Sequence, residues 1–410
     1  MTPRQHVSLY VIMKLRRCVK RAEKLMRIGR VSALSCARQV PWVRARLNLP
    51  RNDTASLTGS SIAGVTLRQV DPETPFNRTL PYMPGELEPH ETFLKEQRGA
   101  YPATFVAELK RGRFWGFYGG SVFTEDGRLV PELSKDVWGP QLHSAFVRTR
   151  LPRASWLPGR TLSLVTPEAA GNYHHWTVDL LPRAGLVQRA GYRLSEFDHV
   201  LIKHRDYPFQ KEALQRLGID SSKVIRVEDD LHLQAESLIV PAVRHDNTKV
   251  SRQDMEFVRR LYLPEEPSPT TAFRRLYVSR RDASFRRVTN ESELMPILKE
   301  YGFEEISMSK MSVAEQAKIF SEAQYLVGPN GSALANLVFA NPACQVVEFF
   351  APGWVVGYNW MICAAFGLPY TAIVGRGPRP APGTLPREIK QDIFLDVELV
   401  KTALDAIPAR

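Results

Sequence analysis

The chain has 410 residues, too many for one ordinary hydrophobic core and enough for two α/β units with extensions. With 44% apolar and 24% charged residues its composition is globular. The net charge of +12 is confined to one place: residues 1–51 hold thirteen Lys/Arg against one acid, Glu23, while the rest carries 42 of each sign. A neutral body argues against a general nucleic-acid or polyanion binder.

In chain order, residues 1–51 read as a basic N-terminal arm. Its longest apolar run, Val7 to Met13, is far short of the ~20 residues needed to cross a bilayer. No small-residue cleavage site of the secretory type follows it. Lys14, Arg16, Arg17, Lys20, Arg21, Lys24 and Arg27 alternate with Leu15, Val19, Leu25, Met26 and Ile28. That pattern suits either an amphipathic helix held by anionic lipid headgroups or a solvated arm without fixed structure. Cys18, Cys36, Cys344 and Cys363 lack paired metal spacing and read as free thiols in a reducing compartment.

Residues 52–160 carry short β-like pieces, Thr104–Leu109, Phe114–Tyr118 and Ser121–Phe123, and read as an irregular β-containing lead-in. From residue 161 strands and helices alternate. Thr161–Val165 predicts a strand and Tyr173 onward a helix that Pro182 should kink. Asp198–Lys203, Lys223–Val227 and Ser237–Val240 predict strands, with helices at Pro208–Leu217 and Arg252–Leu263. Three prolines in Pro264–Pro269 mark a linker. A second series then predicts strands at Leu276–Ser279, Glu304–Met308, Tyr325–Val327, Gln345–Phe349 and Tyr370–Val374. Helices are expected at Glu291–Tyr301, Ser312–Ala323, Ser332–Phe339 and Val355–Phe366, with a closing helix near Leu395–Ala406. This βαβ grammar predicts an α/β fold, two Rossmann-like parallel-sheet domains facing a ligand-binding cleft. The expected divisions are 1–51 (arm), 52–263 (first domain), 264–385 (second domain) and 386–410 (closing helix).

Four constellations can carry chemistry. Asn172, His175, Asp179 and Arg183 step by three or four residues along one helix face. A carboxylate at i+4 can orient the imidazole and stabilise its protonated form, which suits a general base. A solvated polar face, with Trp176 in the core, would produce the same spacing. Arg280 and Arg281 stand at the carboxyl end of a strand, followed by Arg286, Arg287 and Asn290. Arginines there can clamp a diphosphate leaving group, or form a solvated basic loop. Gly328-Pro-Asn330-Gly331-Ser332, entering a helix that continues to Asn336 with Ser332 as N-cap, outlines a phosphate loop or a tight structural turn. Glu348, charged within an apolar strand, can accept from ribose hydroxyls or form a structural ion pair. No Asp-x-Asp or His-Glu-x-x-His motif occurs, so no metal or other cofactor is expected.

Over about residues 161–375 these pieces together resemble glycosyltransferase family 61. The resemblance rests on Asn172-Tyr-x-His-Trp-x-x-Asp-x-Leu-Pro-Arg183, Tyr277-Val-Ser-Arg-Arg281, Arg287 with Asn290-Glu291, and Gly302-Phe303. The Ala314-Glu-Gln316 helix, Gly328-Pro-x-Gly331 and Glu348 complete it. It implies a GT-B-like fold and inverting, metal-independent transfer from a nucleotide sugar to a glycan or lipid-linked glycan. The family's histidine falls on His175 and its acid on Asp179, making these the expected catalytic pair. Asn172, Trp176 and Arg183 fall on the acceptor side. Arg280, Arg281, Arg287, Asn330, Gly331, Ser332, Asn336 and Glu348 fall on the donor side. Where the family usually has His-Gly, this chain has Asn330-Gly331, and asparagine cannot exchange a proton in the same way. The resemblance favours a bacterial-type cytoplasmic enzyme of surface or capsular polysaccharide synthesis, peripheral to the inner face of the membrane. A GT-B-shaped epimerase, a phosphorylase and a non-catalytic nucleotide-sugar-binding scaffold are the rival expectations.

Overall fold

The computed structural model describes residues 3–405 apart from 58–60, 137, 139, 243–248, 382 and 385–387, and no side chains for 3–19 and 140. The apolar run Val7–Met13 and the side chains of Lys14–Val19 therefore lie outside the described set. The N-terminal segment is not a detached arm. It forms a helix, Pro3–Gln39, followed after Val40 by a second, Pro41–Leu47. One side of the long helix is docked. Arg27 donates to the Leu142 carbonyl at 3.1 Å and covers the Trp138 ring. Arg38, buried, donates to the carbonyls of Phe146 and Val31 and to Asn52 Oδ1.

The first unit contains strands β1 (Val65–Asp71), β2 (Thr74–Asn77), β3 (Arg98–Tyr101), β4 (Thr104–Lys110) and β5 (Arg113–Trp115). It continues with β6 (Ser121–Phe123), β7 (Ser155–Ser163), β8 (His199–Ile202), β9 (Val224–Arg226) and β10 (His232–Pro241). Its main sheet has the order β1-β4-β10-β7-β8-β9, with β5 pairing β10 and β6; β2 and β3 form a separate ribbon. Strands β10, β7, β8 and β9 run parallel, while β1, β4, β5 and β6 are antiparallel to their neighbours. The sheet is thus mixed, which corrects the expectation of a parallel one, and the supposed lead-in supplies half of it. The alternation that announces a half-exposed strand is missing from β4 because four of its seven residues, Thr104, Val106, Ala107 and Leu109, are buried and cover both faces.

The second unit is a five-stranded parallel sheet of β11 (Arg274–Val278), β12 (Glu304–Ile306), β13 (Ala323–Pro329), β14 (Gln345–Phe350) and β15 (Tyr370–Val374). Their spatial order is β12-β11-β13-β14-β15. The order reverses between β11 and β13, and the crevice at the carboxyl ends of two such strands is where open α/β sheets bind ligands.

One core spans both units: Leu162, Trp176 and Val258 from the first belong with Leu276, Leu334, Val346 and Trp360 from the second. Arg259, on the helix Arg252–Tyr262, reaches across to donate to the carbonyls of Val338 and Ala340 at 2.7 and 2.9 Å. Residues 79–93 cross over as a strap. Tyr82 exchanges backbone bonds with Tyr370 and Ala372 at the open edge of β15, and Trp360 Nε1 donates to the Thr79 carbonyl. Phe93 is fully buried among Phe350 and Trp360.

Candidate functional site

The site helix begins after β7, at the carboxyl end of a parallel strand. Asn172 caps it, its Oδ1 accepting from the His174 amide at 2.9 Å. A single turn, Tyr173–His175, passes into a π-turn, Trp176–Leu180, closed by the Leu181 amide on the Trp176 carbonyl; an α-helix, Leu181–Arg189, follows. Pro182 explains the wide turn. Its nitrogen has no proton to give, and the ring crowds the turn before it, so the backbone takes up an extra residue there. The expected kink is realised as this π-turn.

Within that turn His175 Nδ1 lies 2.6 Å from Asp179 Oδ2. Both side chains are largely covered, at 12% and 18% exposure. The carboxylate accepts from Nδ1–H, fixing the ring and leaving Nε2 as the nitrogen that can take a proton. His174, next door, is buried, and burial holds its imidazole neutral by lowering its pKa to about 4. The other expected residues of this helix face inward. Trp176 is 1% exposed and packs on Phe209, so it has no surface to offer an acceptor, a correction to its expected role. Arg183 is buried beside Ser163 and Ala242, and burial lowers its pKa to about 10.

Facing this helix is the crevice between β11 and β13. Its lining brings Asn172, His174 and His175 of the first unit together with Arg286, Asn330, Gly331, Ser332, Tyr358 and Asn359 of the second, around roughly 580 Å³ of open space. Arg280 lies across Gly331 so closely that a Cβ there would sit 1.9 Å from Arg280 Nη1. Only glycine permits this approach. Gly331, rather than Ser332, is the N-cap of the 3-10 helix Ser332–Phe339. Ser332 instead donates its hydroxyl to Asn172 Oδ1 at 3.2 Å.

The guanidinium that lines the crevice belongs to Arg286, not to the expected Arg287. Arg286 adopts a left-handed backbone, φ 56°, and donates to Asn330 Oδ1 at 2.8 Å. Burial first, then Arg280 close by, lower its pKa to about 10. Arg280 is shifted down as well, chiefly by burial. Among the described residues neither arginine has a carboxylate within ion-pair distance. Arg287 points out to Asp392, at 3.2 Å. Arg281 is exposed and held by Glu291 and Glu305, at 2.5 and 3.4 Å. Both stand in surface ion pairs, outside the crevice lining to which the expectation assigned them.

Asn336 and Glu348 are also corrected. Asn336 is wholly buried between Tyr173 Oη and Gln316, at 2.6 Å from each, and cannot reach a ligand. Glu348 is equally buried. It accepts from Asn330 and Asn359 at 2.6 and 2.7 Å and from the Tyr370 hydroxyl. Burial raises its pKa to about 7 against those hydrogen bonds. Its role is to hold Asn330, which in turn holds Arg286.

A second pocket lies behind the dyad, lined by Lys135, Thr166, Asp179, Arg183, Lys249 and Asp254 among others. Asp179 therefore borders one pocket while its partner His175 borders the other. Among the described residues no cluster of three or more His, Cys, Asp or Glu is arranged to hold a metal ion.

The site thus sets a histidine held by a carboxylate across a crevice from Arg286, with Arg280 packed over Gly331 beside it. Residues 173–347, which carry His175, Asp179, Arg280, Arg286, Asn330 and Gly331, match the family Glycosyltransferase 61. The match identifies that region as a domain of the glycosyltransferase family 61 type and supports a glycosyltransferase. No curated protein matches the sequence.

Proposed function

We propose that the protein is an inverting, metal-independent glycosyltransferase of the GT-B type, moving a sugar from a nucleotide sugar to a glycan hydroxyl in surface polysaccharide synthesis. The observation that carries this reading is Arg286 lining the crevice with His175 while Arg280 lies over Gly331 in the same crevice's lining, neither with a carboxylate partner among the described residues. Two half-buried cations that raise each other's free energy are relieved by a dianionic ligand, and a nucleoside diphosphate is such a ligand. They supply the positive charge that a diphosphate leaving group requires.

In this mechanism an acceptor hydroxyl gives its proton to His175 Nε2 as its oxygen attacks the anomeric carbon. The bond from that carbon to the diphosphate oxygen breaks, and one displacement inverts the centre. Asp179 stabilises the imidazolium that forms. Arg280, Arg286 and the backbone around Gly331 and Ser332 take up the charge left on the diphosphate. The pocket bounded by Thr166, Asp179 and Arg183 is then the acceptor side. A non-catalytic, nucleotide-binding reading is favoured by one observation: Asn330, at the heart of the crevice, has no proton to exchange.

Calorimetric titration with nucleosides, nucleoside monophosphates and nucleoside diphosphates, with and without EDTA, tests the proposal. Affinity that rises steeply with the second phosphate and ignores EDTA is expected, together with turnover of one nucleotide sugar. Binding without turnover leaves the scaffold reading standing, and affinity that depends on a divalent cation sinks the mechanism.

A further inference from the structure

We infer that the outer face of the N-terminal helix pair is a docking surface for anionic lipid headgroups. The long helix is tied to the body along the line of Arg27, Val31 and Arg38. At 100° per residue Leu25 points away from that line, with Met26 and Ile28 to either side. These three are 68%, 59% and 43% exposed, and Trp42 on the next helix is 69% exposed. Large apolar side chains left in water on one element ask for a cover. Exposed Arg21, Lys24 and Arg30 flank the first three, and exposed Arg46 shares the short helix with Trp42.

Charge selects the cover. The whole excess of +12 lies in residues 1–51 and the body is neutral, so an anionic surface is drawn to this element and not to the rest of the molecule. Nucleic acid would use the cations but leave Leu25, Met26, Ile28 and Trp42 unburied; a lipid interface uses both. Among the described residues no helix is long and apolar enough to cross a membrane, so the element lies in the interface plane. The inference does not depend on the glycosyltransferase mechanism, because none of these residues touches the crevice.

Co-sedimentation of the full chain with phosphatidylcholine vesicles, with and without about a third phosphatidylglycerol, tests it at low and high salt. Binding to the anionic vesicles at least about tenfold tighter than to the neutral ones, weakened by salt, is expected. A Leu25→Glu/Trp42→Glu variant should lose that binding while keeping its melting temperature and its nucleotide affinity; an Arg21→Glu/Lys24→Glu variant should lose most of it. Equal affinity for both vesicles, or none, overturns the inference, as does full binding by Leu25→Glu/Trp42→Glu. A preference for a short RNA over anionic vesicles would also overturn it. So would a dimer in solution that dissolves in the Leu25→Glu/Trp42→Glu variant while vesicles go unbound.

Discussion

Ser332 donates its hydroxyl to Asn172 Oδ1 at 3.2 Å, joining the first residue of the 3-10 helix Ser332–Phe339 to the cap of the helix that carries His175. The same carboxamide oxygen accepts from the His174 amide, so the turn that carries His175 and the loop at Gly331-Ser332 are set against each other through one atom. Tyr173 Oη on Asn336 makes a second bond across the same seam. A site shared between two units needs such fixed contacts, because sub-ångström misplacement of a base is costly.

The His175–Asp179 pair should dominate turnover. His175→Ala is expected to lower kcat by about 10²- to 10⁴-fold while the nucleoside diphosphate Kd stays nearly constant. Asp179→Asn should lower kcat and alter its pH profile, because the amide can neither hold Nδ1–H nor stabilise an imidazolium. Steady-state kinetics beside calorimetry separates the two parameters, and His175→Ala with most of its turnover would remove the base assignment.

The choice between neighbouring arginines makes a sharper comparison. Arg286→Ala should weaken nucleoside diphosphate binding by about 10- to 100-fold, the worth of a partly buried charged hydrogen bond. Arg287→Ala and Arg281→Ala, whose guanidiniums are occupied by surface carboxylates, should change it by less than about twofold. Gly331→Ala should resemble Arg286→Ala, since its Cβ would displace Arg280 from the crevice.

Glu348 should leave a signature in the pH dependence of stability. Its folded-state pKa of about 7 lies above the ordinary value of 4.5, so the native state binds this proton more tightly than the unfolded chain. The contribution is fully present below about 4.5 and is lost as pH rises through about 7. Buried His174 runs the other way, losing stability as pH falls from 6.5 through about 4. The difference between the wild type and Glu348→Gln isolates the carboxyl. Urea denaturation should show the variant gaining on the wild type by roughly 1–3 kcal/mol across that window. A constant difference would show that Glu348 ionises normally.

Phe93 sits in the strap, far in sequence from the second sheet, yet its ring meets Phe350 and Trp360 at centroid distances of 6.2 and 5.3 Å. Phe93→Ala should destabilise the fold by about 3–5 kcal/mol through the cavity it leaves. Thermal denaturation should show one transition moving down for the whole molecule. Two transitions, with only the first unit affected, would mean that the shared core does not couple the units.

Much of this architecture is written locally in the sequence. The strands of the second unit carry continuous apolar runs bounded by turn residues, and Gln345–Phe350 and Tyr370–Val374 lie where those runs predict them. The His175–Asp179 contact follows from i, i+4 spacing on a helix, and the π-turn before Pro182 preserves it. The glycine in the phosphate loop is legible for the same reason, because a missing Cβ is a local property.

What tertiary structure decided is which polar side chains face the crevice. Arg286 and Arg287 are adjacent and chemically identical, and only the left-handed turn at Arg286 sends one inward and leaves the other to Asp392. Its outlying φ has no residue-type marker such as glycine. Arg281, Asn336 and Glu348 sit in motif positions but are claimed by partners 10 to 24 residues away or on other elements, Glu291 and Glu305, Gln316 and Tyr173, Asn330, Asn359 and Tyr370. Of the antiparallel strands, β4, β5 and β6 fall on the β-like pieces at Thr104–Leu109, Phe114–Tyr118 and Ser121–Phe123, and what the sequence left open was their place in the main sheet, since burial on both faces of β4 erases the two-residue alternation that orients a strand. Periodicity along the chain reports how a segment meets its own backbone, and only long-range contacts settle which side chain a pocket receives.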